Sequence, residues 1–93
     1  MDPYAQFLDE ADIKREKRKA RELRATQWWK RRIAKGLCHY CGRNTPVKEL
    51  TMDHIVPLAR GGKSTKGNLV TACKECNNNK KNLLPMEWDE YIK

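Results

Sequence analysis

The spacing of apolar residues changes several times along this chain, and each change marks an element. Tyr4, Phe7, Leu8 and Ala11 recur at i, i+3, i+4 and i+7, the spacing of one helical face. Ahead of them Asp2-Pro3 is a capping acid followed by a proline suited to the first helical position. Beyond Ile13 the stripe thins to Ala20, Leu23, one of Trp28 and Trp29, and Ile33, and Gly36 supplies a stop. Acids gather early and bases late, as the helix macrodipole favours. The pattern predicts one long helix over residues 1–36, or two helices joined near residues 9–14. Its central part is polar nearly all round and is expected to stand out from the core. The Tyr4–Ala11 stripe suits either packing within the chain or contact with a second copy, so a monomer and a homodimer both fit.

A different pattern follows. The segment from Glu49 to Leu58 is rich in β-formers and meets Pro57, which fits an edge strand or a strand terminus. Regular alternation would put its adjacent acid and imidazole, Asp53 and His54, on opposite faces. They can serve one site only through a local twist or bulge, or near the strand end. Residues 59–67 hold three glycines among Lys, Ser and Thr and read as a loop. Asn68 to Thr71 can return as a second strand, and Ala72 to Lys81 suits a helix. Leu84, Trp88, Tyr91 and Ile92 then share a face at i, i+4, i+7 and i+8, predicting a short helix from about Pro85 that packs on the core. The expected architecture is a small α+β domain: a helical arm (1–36), a core (37–82) and a C-terminal helix (83–93).

Composition says how such a core could hold together. With 93 residues and 39% hydrophobic content, and a mean hydropathy of −0.93, the chain builds a thin core and needs a staple. The four cysteines form two pairs, Cys38-x2-Cys41 and Cys73-x2-Cys76, with 31 residues between the pairs. The N-terminus, Met1-Asp2-Pro3-Tyr4, lacks the apolar stretch of a secretory signal, and no run reaches the ~18 apolar residues of a membrane span. A cytoplasmic location is therefore expected, where paired C-x2-C knuckles bind zinc rather than form disulfides. Four thiolates fill a tetrahedral Zn²⁺ site and leave no open position, so this zinc is expected to be structural. His39, inside the first knuckle, is expected at the surface.

Charge adds a partner. The chain carries a net +8, and the stretch from Lys14 to Lys35 holds eleven Lys/Arg against Glu16 and Glu22, a net +9. Concentrated positive charge without a membrane signal favours nucleic acid, bound through its phosphates. Arg24, Arg31 and Arg32 of the arm, with Arg60, Lys63, Lys80 and Lys81, are the candidate contacts. Of Trp28 and Trp29, one is expected to pack on the zinc module rather than stack on a base, because adjacent helical residues point about 100° apart.

The order C-x2-C, then Asp53-His54-Ile55-Val56-Pro57-Leu58, then Gly61-Gly62, Asn68-Leu69 and Cys73-x2-Cys76-Asn77 resembles the HNH endonuclease family, whose catalytic element is the ββα-metal fold. The resemblance runs from Cys38 to about Lys81. It implies that His54 is the general base, that Asp53 is a ligand of a catalytic metal, and that Asn68 steadies the loop that orients the base. Asn77 stands at the family's last position, where the family name has histidine, and would be the second metal ligand. An acid with a neutral amide makes an oxygen-rich site, favouring Mg²⁺ or Mn²⁺.

The implied reaction is phosphodiester hydrolysis of DNA, leaving 5′-phosphate and 3′-hydroxyl ends, with the basic helix expected to hold a duplex. A neutral histidine can take a proton from water, and a divalent cation can stabilise the developing charge. Two other readings compete: a non-catalytic zinc-dependent nucleic-acid-binding module, and a protein-interaction zinc module, which the concentrated charge disfavours.

Overall fold

A computed structural model describes residues 9–92, with side chains through Asp89. The Asp2-Pro3 helix start, the Tyr4–Leu8 part of the first stripe, and the expected facing of Tyr91 and Ile92 lie outside the described residues.

The basic arm is two helices, α1 (Glu10–Arg24) and α2 (Gln27–Ala34). Asp9 caps α1, its carboxylate accepting from the Asp12 amide at 2.8 Å. The expected join near residues 9–14 turns on residues outside the described ones. A break that the apolar stripe did not mark falls at Ala25-Thr26, and Thr26 explains it. Its hydroxyl donates to the Leu23 carbonyl at 2.6 Å and accepts from the Trp29 amide at 3.4 Å. One side chain thus closes the last turn of α1 and caps the first turn of α2.

Strands β1 (Leu50–His54) and β2 (Leu69–Cys73) pair antiparallel in continuous register, from Leu50 opposite Cys73 to His54 opposite Leu69. β1 is shorter than the expected Glu49–Leu58 stretch because the chain turns at Ile55 into a short 3-10 turn, Leu58–Arg60. Every residue of β2 is buried, so Leu69-Val70-Thr71-Ala72-Cys73 shows no alternation. α3 (Lys74–Lys80) and α4 (Pro85–Ile92) complete the chain. The core joins Cys38, Ala72, Cys73, Cys76 and Trp88. Of the adjacent Trp28 and Trp29, Trp29 is buried.

The arm also docks where it was expected to stand clear. Glu16 and Ala20 of α1 are both 4% exposed, and they share a helical face with Ile13.

The loop between the strands is drawn tight against its own start. Gly62 donates its amide to the Pro57 carbonyl at 2.9 Å, and a Cβ there would sit 1.8 Å from the Val56 carbonyl oxygen. Gly67 faces open space, with nothing within 4 Å of an added Cβ. Gly62→Ala is therefore expected to destabilise the zinc-loaded protein by about 1–3 kcal/mol through overpacking, with Gly67→Ala far milder, as read by the midpoints of urea unfolding.

Candidate active site

The chemistry-bearing residues fall into two neighbouring groups. The first is built from the turn after α2 and the start of α3. An isolated bridge between Leu37 and Asn44 closes the turn carrying Cys38 and Cys41, while Cys73 ends β2 and caps α3, its sulfur accepting from the Cys76 amide at 3.4 Å. All four sulfurs lie within 4.8 Å of one another. A tetrahedral Zn²⁺ with bonds of ~2.3 Å needs its sulfurs about 3.8 Å apart, so the cluster can hold zinc.

The protonation of the sulfurs points the same way. A hydrogen bond from the Arg43 backbone, helped by neighbouring thiols and the Arg43 guanidinium, holds Cys41 at about 7 against the effect of burial. Burial first, then its thiol neighbours, push Cys76 well above the ordinary thiol value. Packed sulfurs cannot all ionise beside one another unless a cation compensates them.

The second group sits at the end of β1. Asp53, His54 and Asn77 line one cleft of about 580 Å³, together with Ile13 and Lys17 of α1 and Lys81 and Asn82. The register of β1 is unbroken, so no bulge brings Asp53 and His54 together. They share the cleft because His54 is the last paired residue.

Each side chain is held from behind. Asp53, 8% exposed, accepts from the Tyr40 hydroxyl through Oδ2, and the same oxygen lies 3.2 Å from Lys80 Nζ. Burial first, then Asp53, push the Tyr40 phenol far above its usual value, so it stays a donor. Asn77 donates Nδ2 to Thr51 Oγ1 at 2.7 Å. Thr51 spends its one proton on the Ala72 carbonyl at 2.9 Å, so it can only accept from Asn77, and the amide oxygen is turned away from Thr51. Asn68 pins the inter-strand loop: Oδ1 accepts from the Val56 amide at 2.8 Å, and Nδ2 donates to the Val56 and Lys63 carbonyls at 3.0 and 2.8 Å.

His54 Nε2 lies 2.9 Å from Ser64 Oγ. Burial of the imidazole lowers its pKa, opposed by the carboxylates of Asp53 and Glu16 and reinforced by Lys80 and Arg24. The ring is thereby kept largely neutral at neutral pH, the state a base requires.

A spent-knuckle turn, a two-stranded antiparallel sheet and a following helix thus carry an acid, an imidazole and an amide into one cleft. Residues 38–83 match the family model for HNH endonuclease. This segment belongs to the HNH endonuclease family. The chain is similar to the type IV methyl-directed restriction enzyme EcoKMcrA of Escherichia coli K12, at 35% identity over 54 residues, covering 52% of this chain and 20% of that protein. It is also similar to the CRISPR-associated endonuclease Cas9 of Corynebacterium diphtheriae, at 42% identity over 52 residues, covering 55% of this chain and 5% of that protein. The chain thus spans a fifth or less of either relative's length.

The HNH segment contains the four cysteines, Asp53, His54, Asn68 and Asn77, while α1, which also walls the cleft, lies before it. The phosphate candidates divide. Lys81 is exposed and lines the cleft; Lys63, Arg24 and Arg31 are exposed, and Arg32 lies over the Trp28 ring at 5.3 Å. Lys80 is 0% exposed, with its ammonium on Asp53 and on the His54 carbonyl at 2.9 Å, so it is an internal brace rather than a phosphate contact. Arg60 binds Glu87 at 3.0 Å and the Asn82 carbonyl at 3.3 Å, tying the loop to α4 and drawing its charge away from solvent.

Tyr40, Thr51, Glu16, Ser64 and Lys17 were not singled out from the sequence. Some signal was there for two of them and for Lys80's true role. Lys80 follows Cys73 and Cys76 at i+7 and i+4, on the face of α3 that these buried cysteines mark. Glu16 sits at i+3 from Ile13 and i−4 from Ala20, an acid on an apolar stripe, and Tyr40 lies between two zinc-type cysteines.

Among the described residues no helix is long and apolar enough to cross a membrane. If the cysteine cluster holds the domain together through zinc, stripping the metal with a tight chelator should abolish the cooperative thermal transition and most near-ultraviolet circular dichroism, with recovery on adding Zn²⁺ back.

Proposed function

We propose that this chain is a metal-dependent DNA endonuclease. The observation that carries the reading is the convergence of the Asp53 carboxylate, the His54 imidazole and the Asn77 amide on one cleft at the end of β1. His54 takes a proton from a water molecule, whose oxygen attacks the phosphorus. The P–O3′ bond breaks with its electron pair going to the 3′ oxygen, which is then protonated from solvent. The products carry a 5′-phosphate and a 3′-hydroxyl.

Asp53 and Asn77 would hold a divalent cation, and the donor set fits one. Asp53 commits Oδ2 to Tyr40 and Lys80 and keeps its second oxygen available, and Asn77 offers a neutral oxygen. All-oxygen donors favour Mg²⁺ or Mn²⁺ over softer metals. When bound, the cation would supply charge stabilisation at the phosphate and at the departing oxygen. The Lys80 ammonium beside Asp53 lowers the negative charge of the site, so the ion is expected to bind weakly and to be needed in excess.

Duplex DNA is the proposed substrate. Lys81 and Lys17 flank the cleft, and the exposed Arg24, Arg31 and Lys63 extend positive charge beyond it. These are contacts to phosphate, which position a duplex without reading its sequence. The relatives, a methyl-directed restriction enzyme and a CRISPR-associated endonuclease, support a DNA substrate.

Purified zinc-loaded protein incubated with supercoiled plasmid tests this directly. Nicking or linearisation is expected with Mg²⁺ or Mn²⁺, none with EDTA, and a loss of about 10²-fold or more in His54→Ala with DNA binding retained. DNA bound tightly but never cut, under either metal, would instead identify a non-catalytic binding module.

A further inference from the structure

We propose that α1, outside the HNH segment, belongs to the catalytic apparatus: Glu16 and Ser64 are positioning residues that lock His54 in a single tautomer with Nδ1 open to the cleft. The inference rests on His54 being the base of the proposed nuclease.

The decisive contact is a serine with two neighbours and one proton. Ser64, 4% exposed, has its Oγ against both the backbone carbonyl of Glu16 and Nε2 of His54, the latter at 2.9 Å. A carbonyl oxygen has no proton to give, so the hydroxyl must donate to Glu16. Towards His54 the Ser64 oxygen can then only accept, so Nε2 carries the ring proton. A neutral imidazole has one N–H, which leaves the lone pair on Nδ1. Among the described residues Nδ1 makes no hydrogen bond, and it is not among the occluded polar atoms. It therefore reaches solvent in the cleft that His54 lines.

Glu16 makes the lock rigid. Its backbone carbonyl takes the Ser64 hydroxyl, and its side-chain Oε1 takes the Ser64 amide at 2.6 Å. One residue of α1 thus grips one residue of the inter-strand loop at two points, 48 positions apart in sequence. Burial alone would raise the Glu16 pKa, but the Ser64 amide, Lys19 and Lys63 outweigh it and hold the group below its ordinary value. When Nδ1 takes a proton from water, the Nε2–H bond to Ser64 is kept. Neither the serine nor the glutamate touches substrate; both act through the imidazole. Ile13 and Lys17 of the same helix line the cleft, so α1 also fixes its width.

The test uses the full zinc-loaded chain labelled with ¹⁵N. The two histidines, His39 and His54, are separated by a His39→Gln variant, and long-range ¹H–¹⁵N correlations report which ring nitrogen carries the proton. The wild type is expected to show His54 as Nε2–H. Ser64→Ala should give a mixture of tautomers and lower kcat on plasmid about tenfold or more, as loss of such outer supports commonly does, while KM changes little. Ser64→Thr, which restores the hydroxyl, should recover both signals relative to Ser64→Ala, and Glu16→Ala should follow Ser64→Ala.

A wild-type His54 in the Nδ1–H form would overturn the proposal even if no variant folded. So would a Ser64→Ala protein with an unchanged tautomer and an unchanged kcat. A wild type that shows the Nε2–H signature but cuts no DNA would uphold the lock and remove the nuclease reading, which keeps the two failures apart.

Discussion

Four sulfurs within 4.8 Å of one another are the constraint on which the rest of this domain depends. They tie the turn before β1 to the junction of β2 and α3, and so fix the end of the two-stranded sheet where Leu50 pairs with Cys73. A two-stranded sheet is marginal in water without something to pack on. Here Cys38, Cys73 and Cys76 are part of the buried cluster with Ala72 and Trp88, so the cysteine cluster and the hydrophobic core are one object. Closing it places α3 against the sheet and brings Asn77 beside the end of β1.

The coupling between that staple and the cleft runs through side chains that belong to both. Tyr40 lies inside the first knuckle and donates to Asp53, while its ring meets Trp88 of α4 edge-on at 5.6 Å. Lys80 leaves α3 one turn after Cys76 and supports Asp53 and the His54 backbone from beneath. A buried ammonium is tolerable only with partners, and a buried carboxylate likewise. Each therefore fixes the other, and Asp53 is held in one orientation by groups whose own places are set by the zinc-type cluster. From α1, Glu16 and its contact with Ser64 do the same for the His54 imidazole. The division of labour is spatial: the cysteine cluster backs the acid through Tyr40 and Lys80, and the arm backs the imidazole through Ser64.

Much of this was legible in sequence because its determinants are local. The C-x2-C pairs, the Asp53-His54 dipeptide, the glycine loop and the Asn77 position are short motifs, and their order carries the ββα arrangement. What escaped was set by contacts between distant residues or by a single hydroxyl. Thr26 breaks the arm because it serves both flanking helices, which a thin apolar stripe does not disclose. Lys80 reads as surface charge until the helix face it shares with Cys73 and Cys76 is considered. Glu16 and Ser64 are unremarkable apart, and only folding puts them together. The arm's basic composition suggested a helix standing in solvent, whereas one acid and one alanine on its inner face dock it against the loop.

The most direct measurement is the end chemistry of whatever this chain does to duplex DNA. Zinc-loaded protein in excess Mg²⁺ or Mn²⁺ would be given plasmid, and any nicked product offered to DNA ligase without prior treatment. Hydrolysis by water activated at His54 predicts nicks that reseal directly, because the ends are 5′-phosphate and 3′-hydroxyl. Nicks that ligase cannot seal, or DNA left intact by a folded and zinc-loaded protein, would contradict the account.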